Sequence, residues 1–457
     1  MPGKLDKFTY TDLFAGVGGF AAALNALGGK HVLSAEVDGN AASTYLINFG
    51  IDPTSDVRDL ANSARVKKIS TDVVAGGFPC QPFSKSGKQQ GTLDKIRGTL
   101  FENILHFVNE NRPKVLILEN VRNLVGPRHL EDFRIIIHSL RELGYRVSDE
   151  PALISPHLLP IKIGGRPQYR PRVYITATYN PTANSSEQWE TPKPVTSFHE
   201  LKDAFGKIKW NVLKDLPIAG TVKSSASQLS AEEFEWISTW EAFLRAFKGN
   251  GTGVKLPGFP LWTDVWLNPK SVEFSGELPE WKADLVQKNR SFYEQNRDWI
   301  DTWLQQNPTF ENFPGSRRKF EWQAGLAGSV WDCAIQLRPS GLRVKELSYL
   351  PALVAVNQSS IIGPRKRRVS VRESARLQGF PEGFSFETVS EKAAYKQMGN
   401  AVHIGSVAFI MRQHVQRDRD VLIRSSAGRR IVVSVESSHE NPDEVFESWG
   451  SAVTDPK

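Results

Sequence analysis

The sequence predicts an α/β protein: a parallel sheet with helices on both faces, joined to a second, smaller domain. Three observations carry that prediction. Over the first 180 residues, short β-rich apolar runs alternate with helical patterns, as parallel strands linked by crossover helices require. One run, PKVLILEN, is apolar almost throughout, which is expected of a strand buried on both faces. The composition then shifts: no Trp precedes position 189, whereas eleven of the twelve lie between Trp189 and Trp331.

TYTDLFAG reads as strand and turn, GGFAAALNALGG as a helix stopped by glycines, and HVLSAEVD as a second strand. NAASTYLINFG is helical, TDVVAGGF a strand, TLFENILHFVNEN a helix and PKVLILEN the buried strand. EDFRIIIHSLRELGY follows as an amphipathic helix and PRVYITAT as a further strand. These elements set a first domain at 1–180. The Trp-rich region runs over 181–350, and its PEWKADLVQKNRSFYEQNRDWIDTWLQQ reads as appended helices whose aromatics are core, with base stacking as the alternative. A third part, 351–415, holds VRESARLQGF and the helical GNAVHIGSVAFIMRQHV. Residues 416–457 read as a polar tail, partly disordered.

The chain has 40% hydrophobic and 23% charged residues, ordinary values for a globular protein. No apolar run approaches the roughly 18 residues of a membrane span, and the N-terminus has no apolar signal-peptide core, so a cytoplasmic protein is expected. Cys80 and Cys333 could form one disulfide at most, and with nine histidines they make no zinc-like spacing. The excess of 57 Lys+Arg over 50 Asp+Glu gives +7, a modest bias toward anionic partners. The run PRKRRVSVRESAR concentrates Arg365, Lys366, Arg367, Arg368, Arg372 and Arg376 against the single acid Glu373. It fits either a solvated surface or nucleic-acid phosphates. Cys333 reads as structural, with Arg338 and Arg343 near it as possible DNA contacts.

DLFAGVGGF, residues 12–20, follows a strand and opens a helix, so its glycines can bring backbone amides close to a ligand. On this loop alone a nicotinamide site, a flavin site and a purely structural turn all stay open. Glu36 ends the next strand, where a carboxylate can accept from both ribose hydroxyls, and Asp56 could accept from an adenine amino group. Together they point to a nucleoside-bearing cofactor.

In GGFPCQPFS, Cys80 lies between Pro79 and Pro82 at the end of a strand, where α/β sheets bind ligands. A buried structural thiol is the alternative. An ordinary thiol is only about 3% ionised at pH 7, so a nucleophilic role needs nearby cations or help from the substrate. Glu119 and Asn120 end the buried strand, and desolvation there should raise a carboxyl pKa; a capping carboxylate is the alternative. QYRPR places Gln168, Arg170 and Arg172 on one face of a strand with period two. Thiol, protonatable acid and arginine suit conjugate addition to an electron-poor ring such as cytosine.

Six stretches in this order resemble the motifs of the DNA (cytosine-5) methyltransferases of bacterial restriction-modification systems: DLFAGVGGF, GGFPCQPFS, LENV, QYRPRVYI, RESARLQGFP and QMGNAV. The resemblance implies a Rossmann-like S-adenosylmethionine-dependent methyltransferase sheet at 1–180, completed by 351–415, and a target-recognition domain at 181–350. It implies that Cys80 adds to C6 of a flipped cytosine, that Glu119 protonates N3, and that Arg172 holds O2 with Arg170 nearby. Phe14, Gly16, Gly18, Glu36, Val37, Asp56, Val57, Pro79, Leu100, Asn400 and Val402 would line the cofactor pocket. Ser84, Ser86, Lys88, Arg97, Gln168 and Arg170 would meet double-stranded DNA. It further implies a monomer without a metal, acting at the nucleoid to protect host DNA from a cognate restriction endonuclease. Pro171 departs from the family's usual charged residue between the arginines. A silent DNA-binding member and a tRNA methyltransferase on the same motifs are the competing readings; intact Cys80, Glu119 and Arg172 disfavour the first, and the large Trp-rich region the second.

Overall fold

The computed structural model describes residues 7–62, 69–79, 99–181, 191–218, 224–250, 255–267, 279–353 and 359–446. The chain forms two compact units, Met1–Trp210 with Ser374–Lys457, and Asn211–Glu373.

The first unit opens with β1 (Thr9–Leu13), α1 (Gly19–Ala26), β2 (Lys30–Ala35), α2 (Gly39–Phe49), α3 (Val57–Asn62) and β3 (Val73–Gly77). It continues with α4 (Leu100–Asn111), β4 (Val115–Val121), α5 (Leu130–Glu142), β5 (Tyr145–Val147), β6 (Ala152–Ile154) and β7 (Arg172–Tyr179). Local signals set the helix ends. Asp38 accepts from the Asn40 and Ala41 amides at the start of α2, Gly50 closes that helix in the left-handed conformation, and Thr99 caps α4. The sheet order is β2-β1-β3-β4-β7, with β5 and β6 both on the far side of β7. Leu116, Leu118, Val173 and Ile175 of the central strands are buried against Phe101, Phe107, Phe133 and Ile136 from the helices.

The parallel expectation is met from β2 to β4 and fails at β7. That strand pairs antiparallel with β4, and β5 and β6 pair antiparallel with it. β5 and β6 lie along successive stretches of β7 and act as two halves of one edge strand, interrupted around Pro151. The chain then returns through residues 155–171 to start β7 beside the C-terminal end of β4.

In the second unit, α6 (Ala231–Gly249) starts at a capping box between Ser230 and Glu233. β8 (Leu261–Trp262), α7 (Glu280–Gln295), α8 (Arg297–Gln306), β9 (Lys319–Gln323), β10 (Ala334–Arg338), β11 (Gly341–Lys345), β12 (Ile361–Ile362) and β13 (Arg367–Arg368) follow. Six strands form a sheet in the order β13-β12-β10-β11-β9-β8. Trp240, Trp266, Trp299 and Trp303 belong to the core, whereas Trp281 is exposed; Trp240 stacks on Phe320 with ring centroids 4.5 Å apart and planes at 9°, and Trp303 packs edge-on against Phe310 at 4.7 Å. Cys333 is buried there, its thiol pushed up to about 12 by burial and by nearby Asp332.

The unit boundaries differ from the expected 180/181 and 350/351. Trp210, part of the Trp-rich run, is buried in the first unit with its indole N–H on the His157 carbonyl at 2.7 Å. β12 and β13 complete the second unit's sheet from residues assigned to the third part.

The expected polar tail is also corrected. After α9 (Val371–Gln378) and α10 (Glu391–Asn400), the helices α11 (Ile404–Leu422) and α12 (Ser426–Ser437) occupy its first part, up to Ser437. α11 packs on α1 and β7 and carries α12. Ile431, Val432 and Val435 form a buried stripe on α12, and Arg430 bridges to buried Asp72 at 2.6 Å. The polar residues had masked an amphipathic period.

Candidate active site and cofactor cavity

Two neighbouring cavities open at the C-terminal ends of β1–β4. The larger, about 450 Å³, is lined by the glycine loop, Glu36, Asp38, Gly77–Pro79, Glu119–Val121, Arg170, Arg172 and the stretch from Lys396 to Val402. The smaller, about 390 Å³, shares Phe14, Glu36 and Pro79 with it and adds Val37, Ser55, Asp56, Val57, Arg58 and Leu100.

The glycine loop is shaped for backbone contact. Phe14 and Gly16 have φ of 58° and 54°, and a Cβ on Gly16 would meet nothing within 4 Å, so its backbone borders open cavity. Gly19 has the opposite reason: a Cβ there would stand 2.7 Å from the Val402 side chain, so glycine is what lets the C-terminal segment close on the loop. Glu36 accepts from the Gly16 and Asp38 amides, both at 2.7 Å. Its carboxylate is thus fixed by backbone and keeps acceptor capacity for hydroxyl donors. Val37 is exposed, Val57 is buried, and Leu100 begins α4. Amides on a glycine loop, fixed carboxylates at Glu36 and Asp56 and apolar walls from Phe14, Val57 and Leu100 fit the nucleoside and amino-acid parts of S-adenosylmethionine.

Strand register assembles the polar floor of the larger cavity. Gly77, three residues before Cys80, pairs with Glu119, and a Cβ on Gly77 would lie 3.5 Å from Glu119 Oε2. Because β7 is antiparallel, its first residue, Arg172, falls opposite Val121, and its Nε meets Glu119 Oε1 at 2.9 Å. Burial raises the Glu119 pKa above the ordinary carboxylate value, and the positive charges of Arg172 and Arg170 only partly oppose it. Asn120 Nδ2 donates to the Phe78 carbonyl at 3.0 Å, fastening the chain just ahead of Cys80.

Cys80, Ser84, Ser86, Lys88 and Arg97 lie outside the described residues. The expectation that Gln168, Arg170 and Arg172 share one strand face is overturned: Gln168–Tyr169 forms its own short strand, and β7 starts at Arg172. Pro171, which has no amide to donate, lies at the break. Gln168 is fully buried, and Arg170 is 2% exposed with Nη2 donating to the Gly399 and Ala401 carbonyls at 2.9 and 2.7 Å. Both side chains are thus buried, and Arg170 lines the larger cavity while it holds the C-terminal segment against the site.

Four cations of the basic run are likewise engaged within the protein. Arg367 pairs with Glu373, Arg368 with Glu233 and Arg376 with Glu382, and the Lys366 ammonium lies 5.5 Å from the Phe234 and Trp331 rings. Arg338 and Arg343 both face Glu321. A charge count could not anticipate this, because the partner acids are distant in sequence or on the next turn.

Sequence reasoning passed over Asn120's bond, Lys396 and Gln397. Lys396 pairs with Asp38 at 2.9 Å, and Gln397 bonds Asn40 O and Thr44 Oγ1, sewing α10 to the start of α2 across the cavity rim. Their nearness to QMGNAV was the available signal. No helix among the described residues is long and apolar enough to cross a membrane, and no group of three or more His, Cys, Asp or Glu among them could hold a metal.

The family described as C-5 cytosine-specific DNA methylase matches residues 8–416. The chain is 40% identical to the Type II methyltransferase M.AluI of Cellulosimicrobium cellulans, over 98% of this chain and 99% of that protein. It is 29% identical to the Type II methyltransferase M.BanI of Aneurinibacillus aneurinilyticus, over 90% and 96%. A shorter match, 37% identical, covers 44% of this chain and 55% of M.HpaII from Haemophilus parainfluenzae. The chain therefore belongs to the C-5 cytosine-specific DNA methylases, enzymes that methylate cytosine in DNA with S-adenosylmethionine as the methyl donor.

Proposed function

We propose that the chain methylates C5 of a cytosine swung out of a short duplex DNA sequence, through a covalent bond between Cys80 and C6. The observation that carries this reading is the buried Glu119–Arg172 pair on the cavity floor, in register with the strand that leads to Cys80. The Cys80 thiolate adds to C6 while the Glu119 carboxyl gives its proton to N3, so the ring's added electron density collects at C5. Arg172, beside Glu119, holds O2 and keeps the ring planar with the acid. S-adenosylmethionine supplies the methyl group at C5. Loss of the C5 proton to a base then expels Cys80 as thiolate, and return of the N3 proton to Glu119 restores the ring. Stacked bases cannot reach a recessed site, so the cytosine must be extruded at a cost of a few kcal/mol.

Phe14, Gly16, Gly18, Glu36, Val37, Asp56, Val57, Pro79, Leu100, Asn400 and Val402 hold the cofactor in this reading, and Ser84, Ser86, Lys88 and Arg97 contact DNA. The second unit reads the target sequence. A monomer suffices, acting in the cytoplasm at the nucleoid, and its product protects host DNA from a restriction endonuclease that is a functional rather than a physical partner. The relatives' description as Type II methyltransferases supports that role.

The test is methyl transfer to a duplex carrying 5-fluorocytosine, where the missing C5 proton traps the adduct. The wild type should give a denaturation-resistant complex and Cys80→Ser none; an adduct surviving in Cys80→Ser refutes the assigned nucleophile.

A further inference from the structure

The ladder of β7 stops at Arg172, whose backbone is flanked by Val121 of β4 and by Ile154, the last residue of β6. It cannot continue through the nitrogen of Pro171, which has no hydrogen to donate, so the Arg170 amide needs an acceptor from elsewhere. Ser155, the residue after Ile154, provides it. Its Oγ accepts from the Arg170 amide at 2.8 Å, and both residues are buried, Ser155 completely. The same oxygen lies 2.8 Å from His157 Nδ1 and 3.5 Å from the Gln168 carbonyl oxygen. His157 is held in turn: its carbonyl accepts the Trp210 indole N–H, and its ring centroid lies 5.3 Å from that of Tyr169.

A hydroxyl has one proton and two lone pairs. With a lone pair on the Arg170 amide, its proton is left for His157 Nδ1 or the Gln168 carbonyl, so the buried oxygen both accepts and donates. What it holds matters for the site. Arg170 lines the larger cavity, its Nη2 donates to the Gly399 and Ala401 carbonyls, and its charge, with that of Arg172, opposes the burial that raises the Glu119 pKa. Among the described residues, Arg172, Arg170 and Tyr174 are the titratable groups in electrostatic contact with Glu119. Arg172 has a strand on each side, whereas Arg170 lies outside the ladder and gives its amide to Ser155.

We propose that Ser155 is a positioning residue for methyl transfer: by holding the Arg170 amide across the break at Pro171, it keeps the Arg170 guanidinium within electrostatic reach of Glu119 and on the carbonyls of Gly399 and Ala401. Ser155 lines neither cavity and acts through Arg170. The inference rests on the reading of Glu119 as the acid at N3. Removing the hydroxyl leaves the buried Arg170 amide without this acceptor, which is costlier than losing an exposed bond, and the arginine shifts to recover one. Its charge then stabilises the Glu119 carboxylate less, so Glu119 ionises at higher pH.

The experiment compares the full chain and its Ser155→Ala variant, each with S-adenosylhomocysteine bound, by infrared titration of the Glu119 carboxyl, whose protonated C=O band is identified by its absence from Glu119→Gln. Ser155→Ala should raise the ionisation midpoint by about half a pH unit or more, part of the shift that an opposite charge exerts. It should also slow single-turnover methyl transfer to unmethylated duplex DNA about tenfold, the scale of a buried amide left unpaired. Ser155→Thr keeps the hydroxyl and should restore both; Ser155→Cys, a weak acceptor of similar size, replaces the alanine variant if that chain does not fold. A midpoint that stays put or falls, whatever the rate, overturns the proposal, as does a midpoint in Ser155→Thr displaced as far as in Ser155→Ala. Glu119→Gln separates the two levels: if it leaves turnover intact, the reading of Glu119 fails and this inference with it. If Glu119→Gln slows turnover and Ser155→Ala leaves the midpoint unchanged, only the role of Ser155 fails.

Discussion

Two glutamate–arginine pairs, one in each unit, are built differently. Arg367 and Glu373 in the second unit have side chains only 3% and 1% exposed, meet through two parallel bonds of 2.8 and 2.9 Å, and add the Ser370 amide at 2.8 Å. Glu119 and Arg172 in the first unit meet through Nε at 2.9 Å, with side chains 11% and 17% exposed to a cavity of about 450 Å³. The first pair is closed by its own partners and can only hold structure. The second keeps donor and acceptor capacity turned to a space that a pyrimidine can enter, and its acid is easier to protonate than an ordinary carboxylate. A buried ion pair thus says little about function until its remaining hydrogen-bonding sites are followed.

The largest effect that sharpens this contrast is on chemistry. Cys80→Ser should leave no measurable methyl transfer from tritiated S-adenosylmethionine to duplex DNA while the chain still binds S-adenosylhomocysteine. Glu119→Gln should slow single turnover by roughly 10²–10⁴-fold, the usual worth of a positioned acid. The same substitution should shift unfolding by no more than about 1 kcal/mol, since water in the cavity can solvate Arg172.

Glu373→Gln should reverse the pattern. It strands a sealed guanidinium and should cost about 3–5 kcal/mol in denaturant unfolding, with turnover per folded molecule kept. Were Glu119→Gln to cost as much stability as Glu373→Gln, the distinction between the pairs would be lost.

The smallest effect concerns acid sensitivity in the first unit. His414 and Asp418 of α11 are buried beside Thr178, Arg146 and Arg417. Burial, more than the neighbouring arginines, pushes the imidazole down to about 3 against the pull of Asp418. Burial also acts to raise the Asp418 carboxyl, but His414, Arg417 and Thr178 outweigh it and hold that group at about 2. Both folded groups bind protons less readily than their unfolded forms, so stability falls as pH falls. His414 acts first, from about pH 6.5 downward, at about 1.4 kcal/mol per pH unit for one proton; Asp418 acts below about pH 4. His414→Gln should flatten the decline between pH 6 and pH 4 in urea midpoints; an unchanged slope would exclude His414 as its source.

Much of this was legible from short stretches. The strand that ends at Gly77, the strand that carries Glu119, the glycine loop and the helices between them follow from local periodicity and capping, which act over a few residues. The helices read over 279–306 were also legible, and their reading as core holds for Trp299 and Trp303 but not for Trp281, which is exposed. The basic run was not, because whether Arg367 meets phosphate or Glu373 depends on how the turn at 363–366 folds back. Arg170 was misplaced for a related reason: period two holds only within one strand, and the strand breaks at Pro171.

The sequence by itself determined which residues could do the chemistry and in what order they occur, because side-chain type and local pattern are fixed by the chain. It also determined that β3 and β4 end at one edge, since both follow helical crossovers in the same sense. Only the tertiary structure decided that β7 runs antiparallel. That direction puts the first residue of the strand, Arg172, at the C-terminal end of β4 beside Glu119, whereas a parallel strand would have started at the opposite edge, out of reach. Likewise, only packing decided that residues 399–402, over two hundred positions away, close on the glycine loop through Val402 against Gly19 and through carbonyls held by Arg170. Strand direction and long-range closure are set by burial of the whole sheet, a property that no local stretch contains.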